Sequence, residues 1–204
     1  MLVSVLLLPT VVNMDFQEVV GRRRMVRTFT AEPVPQTSLD RILSNAVRGP
    51  SAGFSQGQAF LVLTSAQDRE RFWSVAGAAV AESAQTAPVV IVPMSCKRVY
   101  LDRYAEPDKG WTDRDEARWP VPFWHIDTGM AALLILQTVV DEELGAIYFG
   151  IIPEAVQPFR DAFGVPGDQE PIGAIAIGHD AEPVKRNLRS RRRSLDEVVR
   201  YGRW

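Results

Sequence analysis

The chain has 204 residues, 46% of them hydrophobic, and a formal net charge of −2. That length and apolar share suit one domain with a sizeable core, and the near-neutral charge gives no global attraction to nucleic acid or to an anionic membrane. One cysteine, Cys96, excludes an internal disulfide and a thiolate cluster, and two histidines give no basis for a metal site; the composition suits the cytoplasm.

Residues 1–13 are apolar through Leu2–Leu8 and Val11–Val12. The run is too short for a membrane span and lacks the basic start and small-residue cleavage site of a signal peptide. It reads as an upstream extension, with Met14 as the start of a single domain over 14–204. Asp15-Phe-Gln-Glu18 has the form of a capping box, followed by a helix with Phe16, Val19 and Val20 on one face and ending near Gly21. After Glu32-Pro-Val-Pro35, Ser38 opens a second helix carrying Leu39, Ile42, Leu43, Ala46 and Val47 at helical spacing, and Gly49-Pro50 stops it.

Next comes Arg48-Gly-Pro-Ser-Ala-Gly-Phe-Ser-Gln-Gly-Gln-Ala-Phe60, a polar, glycine-rich loop. Such a run favours tight turns with backbone N–H groups free to face an anion or the polar edge of a ring. Residues 59–64 form a continuous apolar strand, 68–84 a helix with Phe72, Val75 and Ala79 inward, and 88–93 a second buried strand. Residues 96–122 mix charge with Tyr100, Tyr104, Trp111 and Trp119 at no steady period; they read as a surface excursion, either a lid or a long connection with aromatic staples. From Trp124 to Leu144 runs the most apolar helix, suited to the core or to a large subunit interface. A short strand at 146–150, a helix from Pro153 to Gly164, and a strand over 171–178 follow. Ser194-Leu-Asp-Glu197 is a second capping box, opening a terminal helix. The alternation gives a mixed α and β fold, a central sheet covered by helices.

Gly49-Pro-Ser-Ala-Gly53 matches G-x-S-x-G, but a helix precedes this serine and a strand follows, the reverse of a nucleophile elbow. Neither G-x-x-x-x-G-K-[ST] nor a G-x-G-x-x-G after a strand occurs. His125, beside Trp124 and Asp127, reads as a histidine hydrogen-bonded in place. The arginines are more informative. Arg22, Arg23, Arg24 and Arg27 crowd one end of the chain, and Arg189, Arg191, Arg192 and Arg193 the other. A solvated basic face would explain each cluster alone; two clusters and a glycine-rich loop point to phosphate, which guanidinium binds in bidentate fashion.

The residues together resemble the nitroreductase family of flavin-dependent oxidoreductases. Arg23-Arg-Met-Val-Arg-Thr-Phe29 matches its opening motif, Pro33 to Val47 its following helix, and Gly49 to Gln56 its second motif. Leu133 to Gly150 match its apolar helix and short strand, and Ile172 to Arg193 its last strand and basic tail. The resemblance implies an α+β, three-layer sandwich with a mostly antiparallel central sheet flanked by helices, assembled as an intertwined homodimer. It also implies one FMN in each interface cleft, reduced by NADH or NADPH. Hydride would pass through FMN to a nitroaromatic, quinone or related small-molecule acceptor, with no side chain acting as catalyst. Carried over, Arg23, Arg24, Met25 and Arg27 would lie against the phosphate or ring edge, Met25 by its backbone only. Pro50, Ser51, Ala52, Phe54 and Gln56 would reach the flavin from the partner subunit. Phe149 and Gly150 would offer backbone N–H groups near the ring, and Arg189, Arg191 and Arg192 would grip the phosphate. Phe54 stands where the family usually has asparagine, and Gly57-Gln58 where it has proline–tryptophan. Those departures leave open a deazaflavin, or a flavin-storage protein with little turnover, as the alternative.

Overall fold

The computed structural model describes residues 14–183 and 188–204; residues 1–13, read above as an extension, lie outside it, as do 184–187 and the side chain of Arg189. Helix α1 spans Phe16–Arg22, and the Asp15 carboxylate accepts from the Glu18 N–H at 3.0 Å, so the expected N-cap forms. Helix α2 spans Gln36–Ala46, β1 Gln58–Leu63 and α3 Ala66–Ala76, the last capped by Ser65. Strand β2 is Val89–Ser95, α4 Lys97–Tyr104 and α5 Phe123–Asp141. Strand β3 is Gly145–Phe149, α6 Pro153–Phe163, β4 Glu170–Pro171, β5 Ala174–Gly178 and α7 Leu195–Val198.

The strands form one antiparallel sheet in the order β1-β2-β5-β3, with β4 pairing beside β5 on β2. Side chains of a strand alternate between faces, and here the alternation divides two cores. Val90, Val92 and Met94 of β2, with Ala174 and Ala176 of β5, face a cluster that includes Phe72 of α3 and Phe159 of α6. Val89, Ile91, Ile175 and Ile177 face the other way, onto Leu39 and Ile42 of α2 and Ile135 and Val139 of α5. The result is a three-layer sandwich: α3 and α6, the sheet, then α2 and α5. Both sheet faces are covered, which is why β2 and β5 are buried at every position.

Three elements differ from the periodicity reading. The helix expected over 68–84 ends at Ala76, and two single 3-10 turns, Gly77–Ala79 and Glu82–Ala84, carry the chain on. Gly77-Ala-Ala offers little side chain with which to hold a helix on the core. Within the excursion, Lys97–Tyr104 is a regular helix that buries only Tyr100; one buried position per two turns leaves no period to see. The strand expected over 171–178 splits into β4 and β5 at Gly173, whose φ of +143° and close approach to Tyr148 and the Phe149 carbonyl exclude a side chain. Pro93 of β2 lies opposite that break, accepting from the Ile172 N–H at 3.1 Å, so a proline sits inside a central strand where no ladder N–H is required.

Candidate functional site

The sheet register sorts the candidate residues by position. Gln58 pairs with Ser95, Ser95 with Glu170, and Phe149 with Ala174. The glycine-rich loop before β1 and the Phe149–Gly150 end of β3 therefore share one end of the sheet. They sit on opposite edges, about 14 Å apart at the usual strand spacing. The arginine segment lies at the other end. Met25 bridges to Ala146, the Val26 N–H donates to the Ala146 carbonyl at 2.9 Å, and Phe29 bridges to Asp180. Gly145 permits this docking, since a side chain there would meet Val26 at 2.8 Å. Along α5, the loop is attached at Asp127 and the N-terminal segment at Asp141, through the Met14 N–H; that is about 21 Å of helix at ~1.5 Å per residue.

The arginines of the first cluster are not equivalent. Arg24 forms ion pairs with both Asp180 and Glu182, and those two acceptors raise its pKa against the opposing effect of its partial burial. Glu182 also accepts from the Arg27 N–H at 2.6 Å, while the Arg27 guanidinium donates to the Met25 carbonyl. Arg24 and Arg27 thus tie their own segment to the exit of β5. Arg23, partly exposed, has no ion pair among the described residues. Met25 turns its sulfur toward the Tyr148 N–H, 3.4 Å away. The Phe149 ring faces inward, stacked on Trp73 at 5.9 Å, which leaves its backbone for any ligand. Next to it, Gly150 is exposed, with open space where a side chain would stand.

The loop itself is tightly determined. Gly53, Phe54 and Gln56 all have φ between 56° and 60°, and left-handed geometry at two non-glycine residues costs of order 1–3 kcal/mol each. The Ala52 N–H donates to the Asp127 carboxylate at 2.8 Å, the Tyr100 hydroxyl lies 2.8 Å from the same oxygen, and the Ser51 hydroxyl is 3.3 Å from that of Tyr100. The Gln56 N–H donates to Ser51 Oγ at 2.8 Å, and Arg103 Nε donates to the Gly53 carbonyl at 2.9 Å. Asp127 is 5% exposed, and burial raises the pKa of Tyr100, keeping its hydroxyl protonated. Phe54 projects from this frame, 74% exposed. Pro50 and Gln56 are exposed beside it.

Asp127, Tyr100 and Arg103 carried no individual signal in the sequence. Tyr100 and Arg103 fall in the aperiodic excursion, and Asp127 was noted only as a neighbour of His125. His125 is bonded in place as expected, with Nδ1 2.8 Å from Ser95 Oγ and Nε2 3.4 Å from Glu170. Ser95 is fully buried, so the serine of this row is closed to a substrate. In the tail, Arg191, Arg192 and Arg193 are exposed, and every described hydrogen bond of residues 188–204 is made within the tail. The Ser194 and Glu197 capping box forms as read. Among the described residues, the loop and Phe149–Gly150 share one end of the sheet, the arginine segment lies at the other, and no described hydrogen bond joins the tail to either.

Between the two ends of the sheet runs an uncovered apolar face. Ile126, Met130 and Leu133 recur at helical spacing on the outside of α5, with Val47 and Val121 exposed as well. A largely apolar cleft of about 320 Å³ opens where α1, α2 and α5 meet, lined in part by Phe16, Arg48, Leu134 and Asp141.

Known proteins resemble this chain in sequence and in fold. The model of the Nitroreductase family matches residues 20–179. A relative from Methanothermobacter thermautotrophicus, named NADH dehydrogenase/NAD(P)H nitroreductase, is 30% identical over 181 residues, which is 86% of this chain and 83% of the relative. Among solved structures, a nitroreductase from Exiguobacterium sibiricum in complex with FMN superposes with a TM-score of 0.73 at 18% identity, covering 92% of this chain and 97% of that one. An NAD(P)H:FMN oxidoreductase from Staphylococcus epidermidis gives 0.72 at 19% identity, covering 93% and 97%. At such identities the structural matches speak for the fold.

Proposed function

The chain belongs to the nitroreductase family, and from that premise we propose that it is an FMN-dependent NAD(P)H oxidoreductase acting as a homodimer on a nitroaromatic, quinone or similar small acceptor. One observation carries the reading furthest: the expected cofactor contacts are divided between opposite ends of the sheet, with the bare face of α5 running between them. Most closed dimers are two-fold and self-complementary. Packing α5 antiparallel on its copy runs the loop end of one protomer toward the arginine end of the other, which completes two equivalent clefts.

The residues present fit a flavin phosphate at that place. Arg23 is a cation without a carboxylate partner among the described residues, and Arg191 and Arg192 are exposed; guanidinium groups in this state bind phosphate by charge-assisted pairs. Open space at Gly150 lets a ring edge approach the backbone of Phe149 and Gly150. Arg24 stands outside this set, held by Asp180 and Glu182, and its part is to fix the segment that presents Arg23. When bound, FMN would supply the redox chemistry between NAD(P)H and the acceptor. The protein's own contribution is to bind phosphate, orient the ring from two protomers and exclude water. No nucleophile is required, in keeping with the burial of Ser95 and the internal bonding of Ser51.

Phe54 favours a second reading. An exposed ring at the position where the family usually has asparagine suits a deazaflavin, or flavin storage with little turnover. Steady-state oxidation of NADH and NADPH by the FMN-loaded protein, with and without a quinone, separates the two. Quinone-dependent turnover supports the oxidoreductase; bound flavin with no turnover supports storage.

A further inference from the structure

The bonds around the loop have a direction, and the direction identifies their anchor. An ionised carboxylate only accepts. The Ala52 N–H and the Tyr100 hydroxyl both lie 2.8 Å from the same Asp127 oxygen, so both donate to it. With its proton committed there, Tyr100 has only lone pairs left for the Ser51 hydroxyl 3.3 Å away, and Ser51 is the donor. Ser51 in turn accepts from the Gln56 N–H at 2.8 Å. The row runs one way, from the Gln56 amide through Ser51 and Tyr100 to Asp127, and the Ala52 amide closes it back onto the loop. Each end is a backbone amide of the loop, and the single terminus is a carboxylate buried on α5, the longest of the described helices. The same row spans the left-handed residues Gly53, Phe54 and Gln56. Strained conformations of this kind persist where the surroundings over-determine them. Gly57 completes the fit: the Tyr100 ring lies where a side chain at 57 would stand, 2.5 Å from such an atom.

We propose that Asp127, acting through Tyr100 and the Ala52 amide, is the positioning residue that fixes the shape in which residues 50–56 meet the flavin. This rests on the reading above that the loop faces a flavin held by the other protomer. It also assigns the Ser51 hydroxyl inward, so that the loop addresses the cofactor with backbone groups and with Phe54.

The test uses two readouts on the whole protein. Hydrogen exchange of the loop amides is followed without flavin, with the amides of β2 as an internal control, and FMN affinity is then measured by titration. In Asp127→Leu the acceptor is gone, and exchange at Ala52 and Gln56 quickens while β2 stays protected. FMN binding weakens about tenfold or more, the scale of one lost hydrogen bond to a charged group. Asp127→Asn keeps an oxygen able to accept from both donors and restores slow exchange and affinity. Tyr100→Phe retains the Ala52 bond, leaves Ser51 without its acceptor, and quickens exchange at Gln56 in particular; it serves if Asp127→Leu does not fold. Unchanged exchange in the folded variants overturns the anchor. Faster exchange with unchanged FMN affinity overturns the positioning role and leaves the flavin reading intact. A wild-type protein that binds no flavin overturns the functional reading, and this role with it, even where exchange shows the loop to be anchored.

Discussion

At the scale of single residues, neighbours in sequence divide the work. Arg23 and Arg24 are adjacent and chemically identical, yet one pairs with two carboxylates and the other with none among the described residues. Replacing Arg24 by alanine leaves Glu182, whose side chain is only 8% exposed, without its cation; unfolding free energy should fall by about 2 kcal/mol, as for a lost hydrogen bond to a charged group. Arg23→Ala should stay within about 0.5 kcal/mol of the parent, as exposed substitutions do, while FMN affinity drops about tenfold or more from the loss of a charge-assisted phosphate contact. Denaturant unfolding and flavin titration of both variants read the two effects separately. The opposite pattern, with Arg24→Ala stable but unable to bind, would move the phosphate contact to Arg24. Sequence alone could not separate the pair, because their difference is made by Asp180 and Glu182, more than 150 positions away.

At the scale of elements, the excursion between β2 and α5 is fastened by two different means. Trp119 packs edge-on or tilted against Tyr100, Tyr104, Trp111, Phe123 and Trp124, forming an aromatic knot over α4. Around it lie exposed ion pairs, Arg103 with Asp108, Arg118 with Asp113 and Arg98 with Asp168, and these arginines hold the three carboxyls below their ordinary pKa. A depressed carboxyl stabilises the folded form above its unfolded pKa and loses that contribution as pH falls through the lowered value. The segment should therefore hold unchanged at neutral pH and loosen below about pH 4. Tryptophan emission from Trp111 and Trp119 should report that loosening before global unfolding, and added salt should have the same direction of effect. An emission spectrum constant until the whole chain unfolds would show that the aromatic knot suffices. This segment was the least legible part of the chain. Strands β1, β2, β3 and β5 and helix α5 declared themselves by continuous apolar runs; β2 and β5 are buried on both faces, whereas β1, read as a buried strand, lies at the sheet edge with only Leu63 buried. Helix α4 buries one residue, and the role of Tyr100 depends on Asp127, which only the fold brings near. The loop was visible for its glycines, and its family resemblance marked it as a cofactor contact, but its anchor was not.

At the scale of the whole molecule, the fold was readable because the arginine motif, the glycine-rich motif, the apolar helix and the last strand occur in family order. What no single chain provides is convergence. The loop belongs to one end of the sheet, Arg23 to the other, and the tail makes its described hydrogen bonds only to itself. The exposed Leu195, Tyr201 and Trp204 of that tail, and Ile126, Met130 and Leu133 on α5, are apolar surface without a cover. The proposed second copy would explain both facts at once. Leu133→Glu places a charge in the centre of the proposed interface. It should convert a dimer into a monomer by light scattering and abolish flavin binding with little change in the circular dichroism of the fold. A variant that is monomeric and still binds flavin with parental affinity would mean that one protomer holds the whole site.

The proposed function requires that this chain carry a reducible flavin. Its most direct test is the visible absorbance spectrum of the purified protein loaded with FMN, recorded anaerobically before and after addition of NADPH and, separately, NADH. The protein-bound flavin spectrum should bleach with at least one donor and return when a quinone is added. A protein that takes up no FMN, or whose bound flavin neither nucleotide bleaches, would contradict it.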